Sequence, residues 1–241
     1  MPIEHRQPTI LILLFHPNLE RSKVNAAMAQ SAASLPYTSI TDMSALYPKG
    51  IQMERDGARE AARLLDADGI VLQFPMQWYS TPVLMKQWQD TVLTRMGYLH
   101  QDTEGVGLAG KPIMIAATMG AEEATYRPEG RNRFSVMELL APLRASANRF
   151  AMDWQEPFLV YGADLLDYDG LSEAGREYRR ALSSFSARTQ RADRIQQRVY
   201  LAHAGDEVDT SERGPRSEAL DRPPMASGAG HAPSAPSEIQ T

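Results

Sequence analysis

Apolar runs of five to seven residues alternate with longer amphipathic stretches along most of the chain. The runs predict β-strands at residues 9–15, 37–41, 69–74, 112–118 and 156–161. Residues 10–14 are apolar at every position, which is typical of a central parallel strand covered by helices on both faces. The stretches between the runs predict helices at residues 22–33, 53–65, 83–95, 135–150 and 172–199.

This alternation of strands and helices predicts an α/β fold with a doubly wound, five-stranded parallel sheet. The expected strand order is 2-1-3-4-5, with helices on both faces and right-handed crossovers. In that order the chain changes direction between strands one and three. The loops after those two strands therefore separate and leave a crevice at the carboxyl edge of the sheet, where ligands of open α/β sheets bind.

The end of the chain differs from the rest in composition. From residue 202 onward, Ala, Gly, Pro, Ser and charged residues dominate, and aromatic residues are absent. Such a segment buries too little apolar surface to offset the entropy lost on ordering. We therefore expect a folded, ligand-binding domain at residues 1–200 and a disordered tail at residues 201–241.

Composition excludes several kinds of chemistry. The chain has no cysteine, so disulfides, thiolate metal ligands and a cysteine nucleophile are excluded, and redox chemistry would require a bound cofactor. The net charge of -5 does not favour nucleic acid as a partner. The apolar run at residues 9–15 is too short to span a bilayer. We expect a cytoplasmic protein without a metal site, or one held peripherally at the inner face of the membrane.

The loop after strand one leads from His16 into a predicted helix whose first turn contains Ser22, Lys23, Val24 and Asn25. Unpaired amides at a helix N-terminus, together with hydroxyl and amide side chains, favour an anion such as a phosphate. Two alternatives remain open. Ser22 is equally suited to a simple helix cap, and a histidine at a strand end is often only a hydrogen-bonded structural residue.

The loop after strand three contains Pro75, Met76, Gln77, Trp78 and Tyr79. Proline fixes one backbone torsion, and the four amides that follow it are placed to donate to the carbonyls and nitrogens of a flat heterocycle. The alternative is that the two aromatic residues belong to the core or to a dimer interface.

Together, these two loops resemble those of the flavodoxin-like NAD(P)H:quinone oxidoreductases. The resemblance rests on His16-Pro17, on residues 22–25 and on the sequence Pro-Met-Gln-Trp-Tyr-Ser at residues 75–80, and it extends over about residues 9–185. The branch of the family that it resembles includes the ancillary oxidoreductase subunit of the glutathione-gated potassium efflux system. The family resemblance implies FMN, less favourably FAD, as the cofactor, NAD(P)H as electron donor, a quinone or related electrophile as acceptor, and a homodimer. The alternative implied is a regulatory subunit of a membrane antiporter.

The resemblance also assigns roles to the loop residues. His16 and residues 22–25 would hold the flavin phosphate, and residues 75–79 the ring. In the loop after strand four, the family carries a Thr-Thr-Gly-Gly type sequence, for which this chain has Thr118, Met119, Gly120 and Ala121. Ala121 disfavours the positive backbone torsions that a second glycine would allow.

Tyr126 matches in spacing an aromatic residue that some relatives place beside the flavin, and we expect it to take part in catalysis. The histidine that some relatives use a few residues later is replaced here, near Asn132, so a Tyr-His proton relay is not expected. Arg127, Arg131 and Arg133 are suited to the phosphate of a nicotinamide dinucleotide, to an anionic substrate, or to a solvated loop.

Overall fold

The computed structural model describes the backbone of residues 8–209 and the side chains of residues 8–190. The chain divides into two units, Met1–Arg198 and Val199–Thr241. Residues 201–209 of the expected disordered tail instead continue the last helix, which was predicted to end near residue 199. Residues 210–241 lie outside the described residues, so the domain boundary at residue 200 stays a prediction. Among the described residues, no helix combines the length and hydropathy that crossing a bilayer would require.

The sheet has the predicted parallel order, β2-β1-β3-β4-β5, with β6 also paired to β4. The strands are β1 (Ile10–Leu14), β2 (Thr38–Asp42), β3 (Gly69–Pro75), β4 (Pro112–Thr118), β5 (Asp153–Trp154) and β6 (Phe158–Val160). The flavodoxin-like topology expected from the sequence is therefore confirmed.

The predicted fifth strand is present as two short pieces. β5 pairs with Pro112 and Ile113 at the start of β4, and β6 pairs with residues 116–118 at its end. Pro157 lies between the two pieces and has no N–H to donate to a strand ladder. The interruption gives six strands where five are predicted, without changing the order of the sheet.

The helices cover both faces of the sheet, and most of them lie where the sequence predicts. Two of the predicted helices are partly π-helical. The helix predicted at residues 53–65 begins with a π-helical turn at Met53–Gly57, and the one predicted at residues 83–95 continues into π-helical turns at Gln89–Leu93 and Arg95–Leu99. A short helix after β2 is not predicted; the Asp42 carboxylate caps it by accepting from the amides of Ser44 and Ala45. The α-helices are α1 (Val24–Ala33), α2 (Met43–Leu46), α3 (Ala58–Asp66), α4 (Val83–Trp88), α5 (Val136–Leu139), α6 (Ala141–Arg149) and α7 (Tyr168–Asp209).

Alternating side chains of β1 divide the core into two layers. Leu11 and Leu13 belong to the layer that includes buried residues of α3, α4 and α6. Ile10 and Ile12 point the other way, into the layer that includes α1 and α7. Because the strands are parallel and covered on both faces, the loops after β1, β3, β4 and β6 leave the sheet at one edge.

Candidate functional site

Four loops at the carboxyl edge of the sheet surround a cleft of about 350 Å³. Ten of the residues predicted to hold a cofactor line it, together with three that were not predicted. The lining residues are His16, Arg21, Ser22, Lys23, Val24, Asn25, Pro75, Met76, Gln77, Thr118, Gly120, Ala163 and Asp164. The structure thus brings the two motif loops to one site, although the predicted cofactor-binding residues Trp78, Tyr79, Met119 and Ala121 do not line this cleft.

His16 is held in a defined orientation at the mouth of the cleft. Its Nδ1 accepts a hydrogen bond of 3.1 Å from the backbone N–H of Asn18. A neutral imidazole that accepts at Nδ1 carries its proton on Nε2. Burial lowers the pKa of His16, although the nearby Asp42 carboxylate acts in the opposite direction. At neutral pH, His16 is therefore a neutral donor through Nε2.

The start of α1 forms the cationic end of the cleft. The Ser22 hydroxyl oxygen accepts from the backbone N–H of Asn25 at 3.2 Å, so Ser22 does cap the helix, as the alternative expectation held. Within the described residues, the N–H of Val24 has no protein acceptor. Arg21 and Lys23 are exposed beside it. Unpaired helix amides and two cations suit an anionic group.

A strained two-residue turn follows β3. The backbone N–H of Gln77 donates to the carbonyl of Ser80, and the N–H of Ser80 donates back to the carbonyl of Gln77, both at 3.0 Å. Between them, Trp78 and Tyr79 have φ values of 46° and 63°. Left-handed backbone costs a residue with a Cβ about 1–2 kcal/mol. Two bulky aromatics in such a turn are the kind of strain that proteins keep at functional sites.

Only two of the four amides expected to face a heterocycle are available. The N–H of Met76 donates to the carbonyl of Thr118 at 2.8 Å, and that of Gln77 closes the turn. Within the described residues, the N–H groups of Trp78 and Tyr79 have no acceptor. The Trp78 side chain is 93% exposed, so it is not a core residue.

The loop after β4 contributes backbone more than side chains. Met119 is buried in the core, and its N–H donates to the carbonyl of Val160 at 2.8 Å. Ala121 does not need a positive torsion; the left-handed residue nearby is Gly162, with φ of 61°. A Cβ on Gly120 would lie 2.6 Å from a carboxylate oxygen of Asp164. Glycine at this position therefore permits the loops after β4 and β6 to pack closely.

Tyr126 lies outside the cleft lining. It is half-buried, and its ring centroid is 5.8 Å from that of Tyr161. Burial raises its pKa, with a further contribution from Tyr79, so its hydroxyl stays protonated at neutral pH. In the same region, exposed Arg127 pairs with exposed Glu123 at 3.1 Å, which supports the solvated-loop interpretation for that arginine.

Three lining residues were missed by the sequence reasoning: Arg21, Ala163 and Asp164. Ala163 and Asp164 follow β6, whose carboxyl end lies at the same sheet edge as those of β1, β3 and β4. The predicted strand at residues 156–161 was therefore a signal for these residues, because the loop after every parallel strand lies at this edge of the sheet.

A second cavity of about 450 Å³ adjoins the first and shares Met76 with it. It lies between α4 with its π-helical turns and the pair α5 and α6. Tyr98, which lines this cavity, is one of several large apolar side chains that remain exposed. Others are Trp78, Val83, Leu99, Phe134 and Met137.

Comparison with known proteins gives relatives that this chain covers over most of their length. The chain is 38% identical over 152 residues to a Bacillus subtilis protein named uncharacterized NAD(P)H oxidoreductase YrkL, covering 63% of this chain and 84% of that one. It is 37% identical over 177 residues to the glutathione-regulated potassium-efflux system ancillary protein KefG of Cronobacter sakazakii, covering 72% of this chain and 92% of the relative.

Solved structures agree. General stress protein 14 of Treponema denticola, in complex with FMN, is 31% identical with a TM-score of 0.65, covering 75% of this chain and 99% of that one. An NADPH-quinone reductase from P. pentosaceus is 25% identical with a TM-score of 0.61, covering 72% and 96%. A family model described as a flavodoxin-like fold matches residues 8–183. The chain therefore belongs to the flavodoxin-like fold family.

Proposed function

We propose that this protein is an FMN-dependent NAD(P)H:quinone oxidoreductase that reduces quinones or related electrophiles by two electrons. The observation that supports this most strongly is one cleft lined both by the cationic start of α1 and by residues 75–77, which lead directly into the strained turn at Trp78 and Tyr79. The FMN-bound and quinone reductase relatives support the same cofactor and reaction.

The donor set of the cleft fits FMN at both ends. Arg21, Lys23 and the amide of Val24 suit the dianionic phosphate, with Nε2 of His16 as a further donor. The available amides of Trp78 and Tyr79 suit the acceptor atoms of a flat ring. Gly120 also lines the cleft, and a Cβ there would lie 2.6 Å from the Asp164 carboxylate on the loop after β6.

When bound, FMN would supply the chemistry of hydride transfer from NAD(P)H and two-electron reduction of the acceptor. The protein's own contribution is to bind, orient and exclude water. Donors fixed near the ring stabilise negative charge that develops there. The exposed Trp78 indole offers a flat surface against which a nicotinamide or a quinone can stack. Tyr79 and Tyr126 lie on the loops after β3 and β4, and we propose the protonated hydroxyl of Tyr126 as the one that acts in catalysis.

Steady-state kinetics with NADPH and menadione test this proposal. If donor and acceptor use the same surface in turn, double-reciprocal plots at several menadione concentrations are parallel. Intersecting lines would contradict alternating use of one site. A preparation that contains FMN and oxidises no NADPH with any quinone would contradict the enzyme assignment itself.

We further propose that the protein works as a homodimer. Trp78, Val83, Tyr98, Leu99 and Phe134 are each more than half exposed, and Tyr98 lines the second cavity. Apolar surface of this kind is typical of an interface. Sedimentation equilibrium is expected to give twice the chain mass of 26.8 kDa. A monomer at micromolar concentration would contradict this part of the proposal.

A regulatory role is the second candidate, favoured by the similarity to KefG. In that role, the protein would bind a membrane antiporter at the inner face of the membrane, and otherwise it is cytoplasmic. Trp78→Ala and Asn25→Ala separate the two roles. Loss of quinone reduction with retained activation of potassium efflux would support regulation, and loss of both together would leave it without support.

A further inference from the structure

The strongest buried polar connection in the site runs beneath the cleft, through a residue that does not line it. Gln73 is fully buried near the end of β3, between Leu14 on β1 and Ala116 on β4. Its Nε2 donates to the backbone carbonyl oxygen of Asn25 at 3.1 Å and to the Asn25 Oδ1 at 3.3 Å. A central strand thereby holds the first turn of α1.

Asn25 continues the connection to a third element. Its Nδ2 donates to the Thr118 hydroxyl oxygen at 3.0 Å, at the end of β4. Both residues line the cleft, and both are more than nine-tenths buried. The directions are fixed, because Asn25 Oδ1 accepts from Gln73 and only its Nδ2 is left to donate. We name Gln73, Asn25 and Thr118 the buried polar triad.

The triad retains an unpaired atom. Among the described residues, Gln73 Oε1 is buried without a hydrogen-bond partner. Exchanging the two amide atoms would not help, since Oε1 would then face the two acceptors of Asn25. A buried acceptor without a donor costs about 1–3 kcal/mol. An apolar side chain would avoid this cost but would leave the Asn25 Oδ1 without the donor that Gln73 supplies.

We propose that Gln73 is a positioning residue that keeps the start of α1 in register with the end of β4 around one ligand. This inference rests on the proposed function, in which the start of α1 holds the FMN phosphate. Without Gln73, Asn25 loses two hydrogen bonds and the first turn of α1 is no longer fixed against the sheet. The phosphate end of the cleft loosens, while the turn at Trp78 and Tyr79 keeps its own hydrogen bonds.

Gln73→Met tests the proposal because it keeps the length of the side chain and removes both amide atoms. Binding of FMN and of riboflavin, which lacks the phosphate, is measured by quenching of flavin fluorescence. The affinity for FMN divided by the affinity for riboflavin is expected to fall about tenfold. This change corresponds to the loss of one to two net hydrogen bonds. Riboflavin affinity is expected to stay close to wild type. The melting temperature of the ligand-free protein is expected to fall, because Asn25 Oδ1 is left buried without its donor, but this loss acts on both flavins alike and does not change the ratio.

Gln155→Met is the matched control. Gln155 is also a buried glutamine, but it lies between β5 and β6, at the opposite end of β4, where it accepts from Arg188. The ratio of affinities is expected to be unchanged in this variant. If Gln73→Met does not fold, Gln73→Asn replaces it, since its amide is one methylene shorter and reaches Asn25 less well.

Equal losses of FMN and riboflavin affinity, or no loss of either, would overturn the positioning role. Either result would leave the proposed function intact as long as the wild-type protein binds FMN. A wild-type protein that binds neither flavin would instead contradict the proposed function. The two failures are therefore distinguishable.

Discussion

The hydroxyl of Tyr79 donates to the side-chain oxygen of Asn132 at 3.1 Å. This bond joins the strained turn after β3 to the long loop after β4. Asn132 stands where the family resemblance led us to look for a histidine of a proton relay. Here the side chain serves instead to hold a partly exposed tyrosine at the edge of the site.

Tyr79→Phe and Asn132→Ala test this contact. Each removes the bond, which is worth about 1 kcal/mol at a partly exposed position, so the KM for menadione should rise about fivefold. The double variant should be no worse than either single one, because both remove the same interaction. Additive effects in this cycle of three variants would show that the two residues act separately.

Replacement of Trp78 should separate stability from activity. Glycine tolerates the left-handed backbone at this position, whereas alanine keeps the strain. The free energy of unfolding from urea titration should therefore be about 1 kcal/mol higher for Trp78→Gly than for Trp78→Ala. Both should reduce turnover with NADPH and menadione. Equal stabilities would mean that the turn is unstrained in solution.

Lys23 should contribute to binding of the FMN phosphate and not to binding of the flavin ring. Lys23→Ala is expected to weaken FMN binding about tenfold by removing a charge-assisted contact, with riboflavin binding unchanged. The effect should shrink at high salt because the cation is exposed. Lys49→Ala, at an exposed lysine outside the cleft, is the control. An equal effect on both flavins would place the phosphate elsewhere.

Alkaline pH should destabilise the protein through Tyr47. Burial, and then the hydrogen bond of 2.7 Å to Glu60, raise the pKa of Tyr47 to about 12. An unfolded tyrosine titrates near pH 10. The stabilisation is therefore complete below about pH 10 and is lost as the pH rises through about 12. In Tyr47→Phe, the free energy of unfolding should fall less steeply over this range, and an identical slope would contradict the assignment.

The strand order was predictable because it depends on features that a sequence displays directly. An apolar run such as residues 10–14 fits only a strand covered on both faces, and the alternation with helices leaves few topologies. The split between β5 and β6 was harder, since it depends on how Pro157 and its neighbours meet β4. The helix α2 depends on one capping carboxylate, Asp42, which carries no periodic signal.

The site was predictable as a set of loops and less so as a set of contacts. The sequence places His16 and Gln77 on loops of one sheet edge, and both line the cleft. It does not indicate that the amide of Gln77 is used to close a turn, or that Met119 points into the core. Those outcomes depend on backbone torsions that form only when the loops pack together. Gln73 was overlooked because a buried strand position gives no sign of what its side chain reaches.

The central claim is that the cleft between the β1–α1 loop and the turn after β3 holds FMN. Its most direct test is the identity and stoichiometry of the flavin released by heating the purified protein, read by absorbance and mass. We predict a yellow protein that releases one FMN per chain. A colourless protein that also fails to take up added FMN would contradict the claim.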